Sequence, residues 1–541
     1  MAQPIRHTAL ALSLVAAALL AACGGSSSDS SAIVTDNSGD RGALQTNPPL
    51  RVTTLSSADF LASLNGSANG RNLLAVAGAP KCGVDFNYLQ YGTVGARNEK
   101  TNATGALMVP VGTDTACTGA RPIVLYAHGT TTGLNYNIAN VLDSTNPAYN
   151  EALLVAAMYA AQGFIVVAPN YAGYDTSTLG YHPYLVADQQ SKDMIDALAA
   201  ARKAIPRLAA ADSGKLFITG YSQGGHVAMA THKALQAAGS TVTASAPMSG
   251  PYALAAFGDA VYYGNVNLGS TLFTPLLVNA YQKAYGNIYG SLTDVYSAPY
   301  ATGIDTLLPS LTSVTALFQQ GRLPQTALFS STPPTAPAGS PPLLQATLDA
   351  ITPPTSPPSL APLFALGFGA SPLVTNNARL AYLLDAIANP DGAVPAVTTG
   401  AQPVSPQHPM RIAGKLNDLR NWTPTRPVLL CAGNGDPTVF YSVNTQLMQG
   451  FWSAPSPARM APGLLTVLDV DTAPTGATDP YAAAKGGFAQ AKAGTAQAAV
   501  AAGATDGGVS AVTQAYHGGL VPPFCNAAAR GFFQQVLAAG I

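Results

Sequence analysis

The sequence predicts an α/β fold, a mostly parallel sheet with helices on both faces, interrupted by an inserted lobe. Short, wholly apolar runs alternate with longer amphipathic ones through residues 121–255, the rhythm of parallel strands joined by crossover helices. That rhythm breaks near Pro251 and resumes only at residue 428. At 541 residues the chain is also too long for one ordinary core, so a large domain carrying an extra lobe is expected.

Residues 88–111 alternate and turn like a leading hairpin. Residues 123–127 form a strand ending at His128-Gly129, residues 164–168 a second strand, and residues 188–203 a helix. Residues 216–219 run as a strand into Gly220, and residues 223–238 follow as a helix. After the apolar stretch 242–248, residues 251–421 read as irregular. Within them a Pro-rich segment, 333–372, contains Pro333-Pro334, Pro341-Pro342, Pro353-Pro354 and Pro357-Pro358. Such density excludes central strands and long helices there, and a linker explains that part equally well. The sheet signal returns at 428–432 and 464–470, with a final helix near 527–538. The expected organisation is one main domain, residues 49–250 and 424–541, split by an inserted cap, residues 251–423, able to act as a lid.

Charged residues make up only 9% of the chain and hydrophobic ones 48%, against a usual charged share of about a quarter, which excludes disorder driven by charge repulsion. Lys and Arg total 25 against 26 acids; without a basic excess, nucleic acid is not an expected partner. A sparsely charged surface suits apolar substrates or a lipid interface, although Ala-rich composition alone would give the same numbers.

Arg6 and His7 precede an apolar run, 9–22, shorter than the ~20 residues a spanning helix needs. It reads as a signal peptide. The sequence Leu20-Ala21-Ala22-Cys23 resembles the lipobox of bacterial lipoproteins. That likeness implies removal of residues 1–22, lipidation of Cys23 and a membrane anchor; Gly24 after the cysteine implies outer-membrane sorting. Ordinary cleavage would instead leave a secreted or periplasmic protein. Residues 24–31 are Gly, Ser and Asp only, and residues 23–48 read as a flexible tether. Export permits disulfides. Cys82, Cys117, Cys431 and Cys525 allow three pairings; Cys82 with Cys117 and Cys431 with Cys525 keeps each pair within one half of the chain, and buried free thiols are the alternative. No metal-type spacing occurs among them, and no cofactor is implied.

Gly220-Tyr221-Ser222-Gln223-Gly224 matches G-x-S-x-G. With 52 glycines in the chain the bare pattern is weak, so context must carry it. Strand 216–219 leads in and helix 223–238 leads out, the strand, sharp turn and helix that hold a serine proud of a sheet at a helix N-terminus. A serine hydroxyl needs an imidazole to take its proton and a carboxylate to fix the tautomer. In such folds the order is nucleophile, acid, histidine. Of seven histidines, only His517 lies beyond an acid that follows a late strand; Tyr516-His517-Gly518-Gly519 reads as a mobile glycine-rich loop. For the acid, residues 427–437 give strand, glycine turn and Asp436; Asp469 and Asp471 at the end of the next strand compete. The oxyanion requires N–H donors: Gln223 follows from the elbow, and Thr130, in His128-Gly129-Thr130-Thr131-Thr132-Gly133, is the expected second. His128 reads as a structural, hydrogen-bonded histidine.

Taken together, the segments 126–130, 168–174, 182–185, 220–226, 427–436 and 516–520 resemble the secretory lipase and carboxylesterase branch of the α/β hydrolases. The resemblance covers most of 121–255 and 424–541. It implies hydrolysis of carboxylic esters, often of lipid character, through an acyl-serine intermediate, with a cap inserted after the sixth strand. One departure is Asn170-Tyr171 where relatives carry Asp-Tyr. The cap offers little to match, so acyl length does not transfer. A polyester depolymerase or a peptidase using the same triad, and a surface-binding lipoprotein without catalysis, are the rival readings.

Overall fold

The computed structural model describes residues 40–454, 459–476 and 478–540. The expected signal peptide, Cys23 and most of the tether lie outside the described residues.

Among the described residues eleven strands follow in chain order: β1 (Leu50–Leu55), β2 (Gly83–Val94), β3 (Lys100–Val111), β4 (Ala120–Ala127), β5 (Ile165–Pro169), β6 (Ala211–Tyr221), β7 (Ala244–Met248), β8 (Phe329–Ser330), β9 (Phe368–Gly369), β10 (Val428–Ala432) and β11 (Leu465–Asp469). Nine build one sheet in the order β1-β2-β3-β5-β4-β6-β7-β10-β11, and β8 pairs with β9 apart from it. The first three strands are antiparallel to their neighbours, and β5, β4, β6, β7, β10 and β11 run parallel. Strands β5, β7 and β10 are buried at every residue, because helices cover both faces. That burial is why short, unbroken apolar runs marked them in the sequence.

The strand order reverses beside β4. The chain leaves β4 to form β5 on one side, then crosses back to form β6 on the other, a switch point that opens a crevice at the C-terminal strand ends. Ala127 and Gly220 face each other in register, so the loop after β4 and the elbow after β6 emerge side by side. Strand β10 lies beyond β7, and β11 stands one place further out.

Several expectations change. Residues 40–48, assigned to the tether, pack against the domain: Ala43 and Leu44 are buried, Leu44 bridges Tyr91, and Arg41 pairs with Asp196. The cap is helical rather than irregular, with helices Leu254–Tyr262, Ser270–Tyr285, Pro342–Ala350, Asn376–Ala388 and Pro409–Asn417. Some of its prolines open helices: Pro342 and Pro409 sit in first turns, whose N–H groups have no helical acceptor, while Pro275 stands inside the helix Ser270–Tyr285. The Pro-rich segment itself holds only two short helices, Pro342–Ala350 and Ala361–Ala365. A second core cluster around Leu276, Tyr281, Leu308 and Phe329 fills the cap and takes in Tyr184, Leu185 and Val186 of the main domain. At its base Arg411 is buried between Asp259 and Asp385, and Arg420 between Asp391 and Asp418. Removing one member of such a pair would strand a buried charge, a loss of roughly 3–5 kcal/mol.

Both favoured disulfides are present, Cys82–Cys117 and Cys431–Cys525. The second ties β10 to the last helix, Val521–Ala538. Replacing Cys431 and Cys525 by Ala is expected to lower unfolding stability by about 2–5 kcal/mol, read as a shifted denaturation midpoint; an unchanged midpoint would show that packing alone holds the last helix.

Candidate active site

Ser222 sits between β6 and the helix Gln223–Ala237 with φ 60° and ψ −123°. This left-handed conformation is costly for a non-glycine residue and persists only where surroundings impose it. Here the imposing contacts are backbone: a Cβ on Gly224 would stand 1.9 Å from the Ala127 carbonyl oxygen, and one on Gly220 would stand 2.5 Å from the same oxygen. Two glycines therefore let helix, strand and β4 close together, and the serine between them is turned outward. Ser222 N–H donates to the Met248 carbonyl at 3.0 Å, pinning the elbow to β7.

The Ser222 hydroxyl oxygen lies 2.7 Å from His517 Nε2, and His517 Nδ1 lies 2.6 Å from Asp436 Oδ2. Nδ1–H donates to the carboxylate, which leaves the Nε2 lone pair to accept from the serine. The other carboxylate oxygen of Asp436 accepts from the Thr438 and Val439 N–H groups at 2.9 and 3.0 Å, so both oxygens of this buried group have partners. The Asp436 side chain is 0% exposed and that of His517 12%. The imidazole thus keeps one edge open to substrate while its partner is dry.

His517 is not on a free loop. It lies in a single π-helical turn, Tyr516–Leu520, between the helices Val509–Ala515 and Val521–Ala538, and Gly518 and Gly519 are part of that turn. Its neighbours hold it from both sides. Tyr221 O–H donates to the His517 carbonyl at 2.5 Å. Tyr516 O–H donates to Asp471 at 2.7 Å and accepts from the Gly435 N–H at 3.0 Å, which joins the histidine turn to the Asp436 loop.

Of the three acids considered, Asp436 is the one against His517. Asp469 accepts from Asn434 through both backbone and side chain. Asp471 binds Tyr516 and Lys492. Both competitors shape the loop that carries Asp436.

Thr130 and Gln223 line the same cleft as Ser222. The cleft has an empty volume of about 940 Å³, its mouth included, and apolar walls drawn largely from the cap, among them Leu254, Phe257, Val261, Phe273, Leu277 and Val278. His128 is fully buried, stacked between Tyr136 and Tyr171, with its nitrogens facing the Gly129 and Asn170 carbonyls; burial pushes its pKa down. Asn170 fits its place as an amide: Oδ1 accepts from the Ile138 N–H and Nδ2 donates to Thr104. Sequence reading did not single out Tyr221, Tyr516, Glu151 or Asp193. Glu151 accepts from Tyr126, Tyr136 and the Gly129 N–H, fixing the loop after β4. Adjacency to a motif was the only available signal, and it reached Tyr221 and Tyr516 alone. Among the described residues no cluster of side chains is suited to a metal ion.

A profile of the prolyl oligopeptidase family matches residues 151–263. No curated protein sequence matches the chain significantly. Among solved structures, the rice cell wall degrading esterase LipA of Xanthomonas oryzae superposes with a TM-score of 0.58 at 26% identity, over 82% of this chain and 94% of that one. A Legionella pneumophila protein of inferred hydrolase activity superposes with a TM-score of 0.56 at 17% identity, over 90% of this chain and 96% of that one; at that identity the likeness speaks for the fold. A strained serine elbow on a mostly parallel sheet, in a chain that follows an esterase over most of its length, gives this protein the α/β-hydrolase fold and a likeness to the esterases built on it.

Proposed function

We propose that the chain is a serine ester hydrolase cleaving carboxylic esters with apolar acyl groups through an acyl-serine intermediate. The observation that carries the reading is the pair of contacts, 2.7 and 2.6 Å, linking Ser222, His517 and Asp436. Ser222 Oγ attacks the ester carbonyl carbon while His517 Nε2 takes the hydroxyl proton. Asp436 holds the tautomer and stabilises the imidazolium. The carbonyl oxygen becomes an oxyanion between the N–H groups of Gln223 and Thr130, each donor contributing about 3 kcal/mol at the transition state. The intermediate collapses by breaking the bond to the leaving alcohol oxygen, which receives the proton from Nε2–H. Water then attacks the acyl-serine carbonyl, giving its proton to His517, and the acid leaves as Ser222 is reprotonated.

The apolar walls of the cleft support an acyl group without charge, since a buried unpaired charge would be costly there. LipA, one of the solved structures that resemble the chain over most of its length, is an esterase, and a ligand-bound form of it is similar to this chain at 25% identity. The prolyl oligopeptidase profile, which spans the elbow, favours a peptidase as the second reading. We also propose that the protein is exported and held at the outer membrane by a lipid on Cys23, a reading supported by Leu20-Ala21-Ala22-Cys23.

Turnover of p-nitrophenyl esters of graded chain length is expected, with none of an aminoacyl anilide; turnover of the anilide alone would establish the peptidase instead. Ser222→Ala should abolish ester turnover and fluorophosphonate labelling, and Asp436→Asn should lower kcat by about 10⁴. A wild type silent on every ester and unlabelled at Ser222 would leave the surface-binding lipoprotein. Cys23→Ser should move the protein from the membrane fraction to the soluble one, and unchanged fractionation would refute the anchor.

A further inference from the structure

The two expected oxyanion donors sit on separate elements. Thr130 lies in the loop after β4, and Gln223 opens a helix. Strand pairing brings these elements together but does not by itself fix the distance between the two N–H groups. One segment, residues 170–185 between β5 and the helix Ala187–Ala204, touches both.

On the loop side three of its tyrosine hydroxyls bear on residues 128–131. Tyr171 O–H donates to the His128 carbonyl at 3.0 Å, and Tyr174 O–H donates to the Thr131 carbonyl at 2.7 Å. The Tyr184 hydroxyl meets the Thr130 hydroxyl at 3.0 Å. Thr130 is therefore held by its own side chain and by the backbone on either side. On the elbow side the segment makes one side-chain contact: His182 Nε2 lies 2.7 Å from Gln223 Nε2.

That contact fixes a tautomer. An amide nitrogen only donates, so His182 Nε2 accepts and its proton sits on Nδ1, where the Ala172 carbonyl accepts at 3.0 Å. Each ring nitrogen then has one role and the ring is neutral. Burial lowers the His182 pKa to about 3, acting in the same sense. Gln223 Oε1 is buried with no hydrogen-bond partner, so the imidazole is what orients this side chain. Behind the imidazole, the Ala172 N–H donates to Asp193 at 2.6 Å, and Asp193 also accepts from Tyr91 on β2 at 2.6 Å.

The backbone of the segment is strained to make these contacts. Tyr171, Asp175 and Leu185 have φ of 66°, 52° and 54°, a left-handed conformation kept by non-glycine residues only where the surroundings over-determine it. Resting on the reading of Gln223 and Thr130 as donors, we propose that His182 and Tyr184 are positioning residues for the oxyanion hole. His182 grips Gln223 and Tyr184 grips Thr130, so a single segment sets the separation of the two N–H groups before substrate arrives.

The test uses the full chain with His182→Ala, His182→Gln and Tyr184→Phe. It measures kcat and KM on p-nitrophenyl butyrate, melting temperature, and the inhibition constant of phenylboronic acid, whose tetrahedral adduct on Ser222 puts an oxygen into the hole. His182→Ala should lower kcat about tenfold to a hundredfold with KM within about twofold, and weaken the boronate by the same factor. His182→Gln, which restores an acceptor, should recover most of both losses. Tyr184→Phe should lower kcat and boronate affinity together by several-fold. Boronate affinity unchanged in a folded His182→Ala, or a loss that Gln does not recover, overturns the proposal. Should His182→Ala fail to fold, Tyr184→Phe decides: unchanged boronate affinity overturns it equally. A wild type that neither hydrolyses the ester nor binds the boronate overturns the ester-hydrolase reading itself, an outcome separate from those of the variants.

Discussion

The imidazole of His517 stands between a hydroxyl 295 positions away and a carboxylate 81 positions away, and much of the C-terminal part of the chain serves that placement. The π turn bearing His517 is fastened on one side by Tyr221, the residue preceding Ser222. On the other side Tyr516 ties it to Gly435 and Asp471. In the strand that leads to Asp436, Cys431 binds Cys525 in the helix that follows the turn. The acid strand and the histidine helix are thus joined covalently and by hydrogen bonds, and the bridging geometry does not depend on any one link.

The elbow meets the opposite requirement. It must hold a serine in a conformation the residue disfavours, and it does so with contacts that leave no alternative: glycines at 220 and 224 against the Ala127 carbonyl, and Ser222 N–H on β7. Strain of this kind, of order 1–3 kcal/mol, is offset by the packing of the buried ends of β4 and β6 and the helix Gln223–Ala237 around it. The segment 170–185 adds a second strained feature on the same side of the cleft, also fixed by buried hydrogen bonds. Preorganisation of this sort is what electrostatic stabilisation of an oxyanion requires, because donors that need no reorganisation lose nothing as charge develops.

Much of this architecture was legible in the sequence, and the failures have physical causes. The parallel strands could be read because burial on both faces leaves them as short apolar runs, and the elbow because its glycines are sterically required. Order along the chain singled out His517, and a strand followed by a glycine turn favoured Asp436 over Asp469 and Asp471. The helix Ala482–Ala501 was missed: it is mostly Ala, Gly, Gln and Lys, with only Lys485 and Phe488 buried, so it shows no apolar face of helical period. Strand β1 is largely exposed and left no alternation. The cap was misread because some of its prolines, taken as breakers, start helices. Contacts such as Tyr171 to His128 span 43 positions, and no spacing rule announces them.

One imidazole, that of His517, bridges Asp436 and Ser222. The most direct measurement of that bridge is the proton spectrum of the histidine-labelled protein. A hydrogen bond from Nδ1–H to a buried carboxylate should give a resonance far downfield of the amide region, present in the wild type and lost in Asp436→Ala. A wild-type spectrum with no such resonance at any pH where the protein is folded would contradict the account.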